Sequence, residues 1–284
     1  MKPIIYYANL AKKILNKETE YNSNKKIIKE LFDKDEKLIL EKIQLRLTVI
    51  DSTYSTNMGR RLFGISDLAK KILKLSTVDD KADDSILSGK IKAFLKYDKN
   101  RSIGDALEEP FGINKFGEKS GVATSLMSKY FYFLMGYKFP IYDSLVKDYL
   151  KEINKKFKPT IIDCNEFKGF SSPLNFFKII SEFNEASQIK CFDRLDNLCW
   201  LYGKIDKGSF SLILSKDNYK KLIKKINVPE KERRIDNFRV DDFIKERLKK
   251  DISHLKEYVK VNIFTKDQCE FIKFTLLDHY NNYD

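Results

Sequence analysis

The fold of this chain is decided by two neighbouring stretches, Gly121-Val-Ala-Thr-Ser-Leu-Met-Ser-Lys-Tyr130 and Phe139-Pro-Ile-Tyr-Asp-Ser-Leu-Val146. The first begins with small residues that suit a tight turn and continues into a helix. In the second, Pro140 fixes the chain ahead of Asp143, and a helix is predicted over Ser144–Lys151. The turn would offer backbone N–H groups to a phosphate, and Asp143 would supply a lone carboxylate about a helix length away.

Helical periodicity dominates the rest of the chain, and strand signals are weak. Residues 27–50 carry apolar side chains at near-helical spacing, and Ser66 is suited to cap a helix over 66–73. Residues 172–202 predict two more helices that end at Gly203. Residues 205–214 predict a short strand or a connector. The sequence therefore predicts an all-α protein.

After about residue 214 the chain becomes richer in lysine, and Pro229 divides residues 216–250 into two amphipathic helices. We predict one domain over 1–214, with the turn and Asp143 in a lobe over about 64–150, and a basic helical extension over 215–284. The lysines of the extension either form a solvated face or contact a polyanion.

The charge balance favours a polyanionic partner. The 284 residues include 54 Lys+Arg against 41 Asp+Glu, which gives a formal net charge of +13. Hydrophobic residues make up 42% of the chain, which is enough for a folded core. A general lysine-rich bias of the proteome is the alternative explanation of the charge. The lone carboxylate and the phosphate-binding turn, in so basic a chain, point to an enzyme that acts on nucleic acid.

Cysteine and histidine usage argues against a metal centre. The four cysteines form no Cys-x-x-Cys pair and only two histidines are present, so we expect no zinc or iron–sulfur site and no cofactor. Few, unpatterned cysteines fit a reducing cytoplasm. No signal-peptide core opens the chain and no long apolar run is present, so we expect a cytoplasmic protein without a membrane partner.

The two opening stretches resemble the helix–hairpin–helix DNA glycosylase superfamily. Gly121-Val-Ala-Thr-Ser-Leu-Met-Ser aligns without gaps on the Gly-Val-Gly-x-Lys-Thr-Ala-x hairpin pattern of these enzymes. Phe139-Pro-Ile-Tyr-Asp-Ser-Leu-Val is similar to their Val-Pro-Val-Asp-Thr-His-Val segment, and the spacing from Ser125 to Asp143 is the usual one. Leu195-Asp-Asn-Leu-Cys-Trp-Leu-Tyr-Gly-Lys204 resembles small bacterial members with a Phe-Pro-Ile-Tyr-Asp-Ser motif. The resemblance covers about residues 50–205.

The resemblance implies a two-lobed all-α fold, with a cleft for double-stranded DNA, in a monomer. It makes Asp143 the catalytic residue, because a carboxylate stabilises the positive charge that develops on deoxyribose as the base departs, or activates a water. A plain helix cap is the alternative role for Asp143. The hairpin residues would contact DNA phosphate through backbone N–H groups; they are Gly121, Ala123, Thr124 and Ser125.

Two positions depart from the family pattern. Ala123 replaces the second hairpin glycine, which restricts the turn but still permits close approach. Ser125 stands where bifunctional members keep a Schiff-base lysine, and serine forms no imine, so the resemblance implies a monofunctional enzyme that leaves an abasic site. Lys129, one helical turn beyond Ser125, is the alternative nucleophile.

The base pocket is weakly marked. Candidates are Tyr54 for stacking and Asn57 for base-edge hydrogen bonds, both from the hydroxyl-rich run 51–57, together with Trp200 and Tyr202. Aromatic residues of this kind lie in the core more often than in a pocket, so core packing is the alternative role for these candidates. A non-catalytic DNA-binding protein that uses only the hairpin remains the alternative function. For an enzyme, two roles stay open, repair of damaged bases and excision of modified phage cytosines in antiviral defence.

Overall fold

The structure is a computed structural model that describes residues 2–16, 20–33, 37–54, 56, 64–95, 123–171, 173–229 and 237–277. It is predominantly helical, which confirms the predicted all-α class. The described helices are α1 Ile4–Leu15, α2 Glu20–Phe32, α3 Leu40–Tyr54, α4 Ile65–Leu75, α5 Asp84–Leu95, α6 Thr124–Leu134, α7 Ser144–Lys155, α8 Pro173–Ala186, α9 Phe192–Asp206, α10 Lys216–Lys225, α11 Asn237–Lys250, α12 Leu255–Lys260 and α13 Lys266–Leu276.

The described strands are β1 Thr77–Val78 and β2 Lys81–Ala82, which form one antiparallel hairpin. Asp79 and Asp80 make its two-residue turn with positive φ angles of 48° and 61°. Aspartate tolerates this backbone conformation better than most residues do. Three short 3₁₀ turns complete the described regular structure, at Glu166–Ser171, Phe210–Leu212 and Ile252–His254. The strand or connector predicted over 205–214 therefore contains a 3₁₀ turn and no strand.

The chain divides into two compact units. Unit 1 comprises Met1–Ser23, Ser144–Glu166 and Phe183–Asp284, and unit 2 comprises Asn24–Asp143 and Phe167–Glu182. Described residues on both sides of position 214 belong to unit 1, where the Gln268 side-chain amide donates to the Ile213 carbonyl at 2.6 Å. Asp143 is the last residue of the long segment of unit 2.

Unit 2 has α6 at its centre, with nine of the eleven residues of that helix buried. The core of this unit includes a fully buried arginine, Arg46 of α3, which forms a salt bridge with Asp84 at 2.8 Å and donates to the Leu31 carbonyl at 3.0 Å. Its guanidinium also lies 4.3 Å from the centroid of the Phe32 ring. These contacts offset part of the cost of burying its charge, while Arg46 Nη2 has no hydrogen-bond partner within the described residues. Burial raises the pKa of the adjacent Tyr130 hydroxyl.

Unit 1 is built around α9, which packs against α1, α7 and α13. Tyr7 of α1 stacks on Phe274 of α13 with ring centroids 3.9 Å apart, and Tyr202 meets the same Phe274 edge-on. Gly203 allows α9 and α7 to approach closely, because a methyl group at this position would lie 2.7 Å from the Tyr149 ring. The helix does not end at Gly203, as the sequence predicted, but at Asp206, before Gly208 with its φ of 78°.

A methyl group added at Gly203 is expected to destabilise the protein by about 1–3 kcal/mol, since the Tyr149 ring must move to admit it. Gly89, inside α5, is the matched control, because no atom lies within 4 Å of a methyl group there. Gly89→Ala is expected to stabilise by up to about 1 kcal/mol through the better helix propensity of alanine. Urea unfolding of Gly203→Ala and Gly89→Ala measures both. Changes of the same sign in the free energy of unfolding of the two variants would contradict the close approach of α7 and α9 at Gly203.

The predicted helix cap at Ser66 is wrong. Ser66 does not cap α4: the helix begins at Ile65, and the Asp67 carboxylate accepts a hydrogen bond from the Gly64 N–H at 3.2 Å, while the Ser66 hydroxyl accepts from Gln44. The apolar spacing over 27–50 is divided between two helices, because α2 ends at Phe32 and α3 starts at Leu40. The phase of the pattern is lost between them, and three of its apolar side chains are about half exposed: Ile27, Ile39 and Leu45.

The two amphipathic helices predicted on either side of Pro229 are confirmed as α10 and α11. None of the described helices is both long and apolar enough to cross a bilayer.

Candidate active site

Helix α6 carries the first half of the candidate site. Its sequence places Ser125 and Lys129 one helical turn apart, so that both side chains lie on the same face. The N-cap residue, Ala123, has no side chain that accepts a hydrogen bond from the first turn. Thr124 is 3% exposed, and its hydroxyl has no hydrogen-bond partner within the described residues.

The segment after α6 returns the chain to the same face. Gly136 and Tyr137 adopt positive φ angles of 57° and 70° and reverse the chain. The Tyr137 N–H donates to the Tyr132 carbonyl at 2.7 Å. Phe139 then packs between Phe131 of α6 and Phe177 of α8, with ring centroids 5.4 and 5.3 Å away. The proline-led stretch is thus fixed in the core before it reaches Asp143.

Ser128 fastens this segment to α6. Its hydroxyl donates to the Ser125 carbonyl at 3.0 Å and accepts from the backbone N–H of Tyr142 at 2.9 Å. The Tyr142 ring meets Phe176 at 4.8 Å. The residue immediately before Asp143 is therefore held both by the side chain of a serine that is 0% exposed and by an aromatic contact. This arrangement sets the position of the carboxylate relative to Lys129.

Lys129 and Asp143 form a salt bridge in this arrangement. The Lys129 ammonium donates to Asp143 Oδ2 at 3.1 Å and to the Ser125 hydroxyl at 2.8 Å. The side chain of Lys129 is 1% exposed and that of Asp143 is 27% exposed. The carboxylate is consequently the member of the pair that solvent or a ligand reaches, and the cation lies behind it.

Tyr54, at the end of α3, joins the same cluster. Its ring centroid lies 5.4 Å from the Lys129 ammonium and 6.2 Å from the centroid of Phe133. The half-buried ring of this stacking candidate is thus near the charged pair. In the run 51–57, the Thr56 hydroxyl donates to the Asp51 carboxylate. Asn57 lies outside the described residues.

Of the four hairpin residues predicted to contact phosphate, three are described. Ala123 and Thr124 are each 3% exposed, and Ser125 is half-buried with its hydroxyl bonded to Lys129. Gly121 lies outside the described residues. A phosphate contact at this helix start remains a prediction, and it depends on the backbone N–H groups of the first turn.

The other two pocket candidates, Trp200 and Tyr202, lie on α9 in unit 1 and make packing contacts there. The Trp200 ring is 4.2 Å from the Tyr21 ring, and the Tyr21 hydroxyl donates to Asp196 at 2.8 Å. Tyr202 is 5% exposed between Tyr149 and Phe274. Neither residue belongs to the unit that holds Lys129 and Asp143.

Sequence reasoning treated Lys129 only as an alternative nucleophile and did not identify Ser128 or Tyr142. The four-residue spacing from Ser125 to Lys129 was a usable signal for a shared helix face. No comparable signal existed for Ser128, since its partner is a backbone N–H fourteen residues later. The role of Ser128 depends on the chain reversal at Gly136 and Tyr137, because this reversal brings the Tyr142 N–H to the Ser128 hydroxyl.

The described residues include no group of three or more histidine, cysteine, aspartate or glutamate side chains that could hold a metal ion. All four cysteines are free thiols. The prediction that no cofactor is needed remains a prediction.

No protein-family model, curated protein or solved structure matches this chain. The resemblance to helix–hairpin–helix glycosylases therefore rests on the sequence motifs, and the function is argued from the geometry of the cluster formed by Ser125, Lys129 and Asp143.

Proposed function

We propose that the protein is a monofunctional DNA glycosylase, with Asp143 as its essential carboxylate. The observation that carries the proposal is the asymmetry of the salt bridge: a carboxylate that is 27% exposed is backed by an ammonium that is 1% exposed. A fixed negative charge at an accessible point is what a reaction with a cationic transition state requires. The net charge of +13 supplies the attraction to DNA.

The proposed reaction hydrolyses the bond between deoxyribose C1′ and the base nitrogen. The target base is first flipped out of the duplex, which costs a few kcal/mol. As the C1′–N bond breaks, the sugar gains positive charge, which the Asp143 carboxylate stabilises. The base leaves with the electron pair of that bond and takes a proton from solvent. A water oxygen bonds to C1′, and the carboxylate accepts one proton of that water and returns it to solvent. The products are a free base and an abasic site.

The monofunctional character is supported by the surroundings of Lys129. A Schiff base requires an uncharged amine that reaches C1′. The Lys129 nitrogen instead donates to both Ser125 and Asp143, and its side chain is 1% exposed. Ser125 itself has no amine. We therefore assign Lys129 the role of a positioning residue that holds the carboxylate.

The proposal is tested on a panel of duplexes that carry uracil, alkylated, oxidised or deaminated bases, together with phage genomes that contain modified cytosines. We expect one class of base to be released, identified by mass spectrometry, with strand breaks only after alkali. A non-catalytic binder would bind these duplexes in a salt-dependent way and release no base.

Borohydride distinguishes the two chemistries of base excision. Because Lys129 is buried and engaged, we expect no covalent protein–DNA adduct when the reaction is run with borohydride, and no strand break before alkali. Lys129→Arg is the control for any adduct that forms, since arginine makes no imine under these conditions. An adduct in the wild type that disappears in Lys129→Arg would contradict the monofunctional assignment.

Two biological roles are compatible with this reaction, repair of damaged bases and removal of modified phage cytosines. Plating phages with modified and with unmodified cytosine on cells that express the protein separates them. Fewer plaques from the modified phages alone would support defence, and equal plaque counts would leave repair as the role.

A further inference from the structure

A groove lined by lysines lies within unit 1, between α12 and α13. It has a volume of about 450 Å³ and is bordered by four lysines, Lys256, Lys260, Lys266 and Lys273. We refer to these four residues and the space they border as the lysine groove. Its floor includes Val259 and Cys269.

The lysine groove carries an unbalanced positive charge. Lys260 forms a salt bridge with Glu257 at 2.7 Å, but Lys256, Lys266 and Lys273 have no carboxylate partner among the described residues. The acidic residue that lines the groove, Glu270, is already engaged by the Lys2 ammonium and the Tyr6 hydroxyl. Three cations therefore border this space without a compensating anion from the described part of the chain.

Two neighbouring features add to the positive potential. Lys266 is the first residue of α13, where the helix dipole is also positive. The acidic residue of that turn, Asp267, pairs with Lys13 at 2.7 Å. Burial raises the pKa of the Cys269 thiol to about 11, so the floor contributes no negative charge at neutral pH. A bound anion would therefore reduce the repulsion between the lysine ammonium groups that border the groove.

Helix α10, which lies beside α12, carries further lysines. The Lys225 ammonium, at the end of α10, lies 5.2 Å from the centroid of the Tyr258 ring of α12. Along α10, Lys216, Lys220 and Lys224 are exposed at four-residue spacing, an arrangement in which like charges repel. None of these three forms a salt bridge with a described residue. Repeated cations along a helix match the repeated phosphates of a nucleic acid strand better than they match a single small anion.

We propose that the lysine groove is a contact surface for the sugar–phosphate backbone of double-stranded DNA, additional to the hairpin at the start of α6. The inference rests on the proposed function for the identity of the polymer. Contacts of this kind carry no base information; they raise affinity for any duplex and make it strongly dependent on salt.

The test uses the full-length protein and an unmodified duplex, with affinity measured by fluorescence anisotropy over a range of salt concentrations. In the groove variant, Lys256, Lys266 and Lys273 are each replaced by glutamine. We expect the affinity to fall about tenfold or more at low salt. We also expect the slope of log affinity against log salt to become shallower by about 0.9 for each phosphate that the variant no longer neutralises.

A charge-matched variant controls for the change in net charge. It replaces Lys151, Lys158 and Lys250, three exposed lysines of unit 1 outside the groove, by glutamine. We expect this variant to retain the wild-type slope and to bind less than about twofold more weakly at physiological salt, where distant surface charges are largely screened. Equal decreases in the two variants would overturn the proposal, because charge would then act only through the net field.

Two further outcomes separate the alternatives. If the groove variant no longer binds vesicles of phosphatidylserine and phosphatidylcholine but keeps its DNA affinity, the surface recognises a membrane and the DNA proposal is wrong.

Base release is measured in parallel, to separate failure of the groove proposal from failure of the proposed function. Groove-dependent DNA binding without any base release refutes the glycosylase proposal alone, and base release with unchanged affinity in the groove variant refutes the groove alone.

Discussion

Replacing Asp143 by asparagine is expected to slow base release at least about 100-fold, while affinity for duplex DNA stays unchanged or rises. The amide keeps the shape of the side chain and still accepts a hydrogen bond from Lys129, but it lacks the charge that stabilises the cationic sugar. Affinity is preserved because the substitution removes a negative charge near the DNA phosphates. Single-turnover base release and fluorescence anisotropy measure the two quantities separately.

Asp148→Asn is the matched control for this substitution. Asp148 is an exposed carboxylate of α7, so its replacement makes the same change in net charge a few residues further along the chain. We expect wild-type base release from it. If Asp143→Asn also released base at the wild-type rate, Asp143 would be only a structural partner of Lys129.

Replacing Lys129 by methionine is expected to slow base release by about 10- to 100-fold at saturating DNA, with little change in affinity. Methionine fills a similar volume but does not hold Asp143 Oδ2, and a displacement of about 1 Å at a reacting group costs up to about 100-fold. Lys129→Arg keeps the positive charge and the donor and is expected to recover part of the rate. A nucleophilic lysine would show no recovery with arginine.

Lys25→Met is the control that separates loss of Asp143 positioning in Lys129→Met from a general loss of stability. Lys25 is 5% exposed in the same unit, with its ammonium 5.2 Å from the Tyr132 ring, so its replacement also removes a buried cation. We expect the Lys25 variant to release base at the wild-type rate below its melting temperature. Wild-type base release from Lys129→Met would show that the salt bridge does not hold Asp143 for the reaction.

Asp143→Asn and Lys129→Met should lower the free energy of unfolding by different amounts. Asp143→Asn leaves an uncompensated ammonium on a side chain that is 1% exposed, whereas Lys129→Met leaves a carboxylate on a side chain that is 27% exposed. Solvent hydrates the second charge better than the first, so Asp143→Asn is expected to lower the free energy of unfolding more than Lys129→Met does. Urea titration of both variants gives the order, and the reverse order would mean that the carboxylate is the more desolvated partner.

Local signals in the sequence were sufficient for the helices that frame the site. The small-residue turn before Thr124, the apolar run of α6 and the proline ahead of Asp143 predict α6 and α7 at nearly their observed positions, since each signal acts within a few residues. The four-residue spacing of Ser125 and Lys129 likewise follows from helix geometry alone.

Contacts between residues far apart in the sequence could not be predicted from such local signals. The Lys129–Asp143 salt bridge depends on the chain reversal at Gly136 and Tyr137, and tyrosine at a positive φ is not indicated by any propensity. It depends equally on the packing of Phe139 against Phe177, which comes from a different segment of the chain. The burial of Arg46 was similarly hidden, because it requires Asp84 from another helix.

Local competition explains the error at Ser66. A serine ahead of an apolar run is a good cap by propensity, but Asp67 reaches back to the Gly64 N–H and the helix starts one residue before Ser66. Ser66 instead lies within the first turn of α4, where its hydroxyl accepts a hydrogen bond from the Gln44 side chain of α3.

The salt bridge between Lys129 and Asp143 also changes the electrostatic potential of the site at a distance from the protein. A single carboxylate presents a monopole that repels phosphates with a potential falling as the inverse of distance. Paired with the Lys129 ammonium at 3.1 Å, it presents a dipole, whose potential falls off more steeply. Beyond roughly one Debye length, about 8 Å in physiological salt, little of that repulsion remains. In the proposed reaction, Asp143 would therefore place a negative charge at the sugar with little loss of the long-range attraction between the basic protein and the duplex.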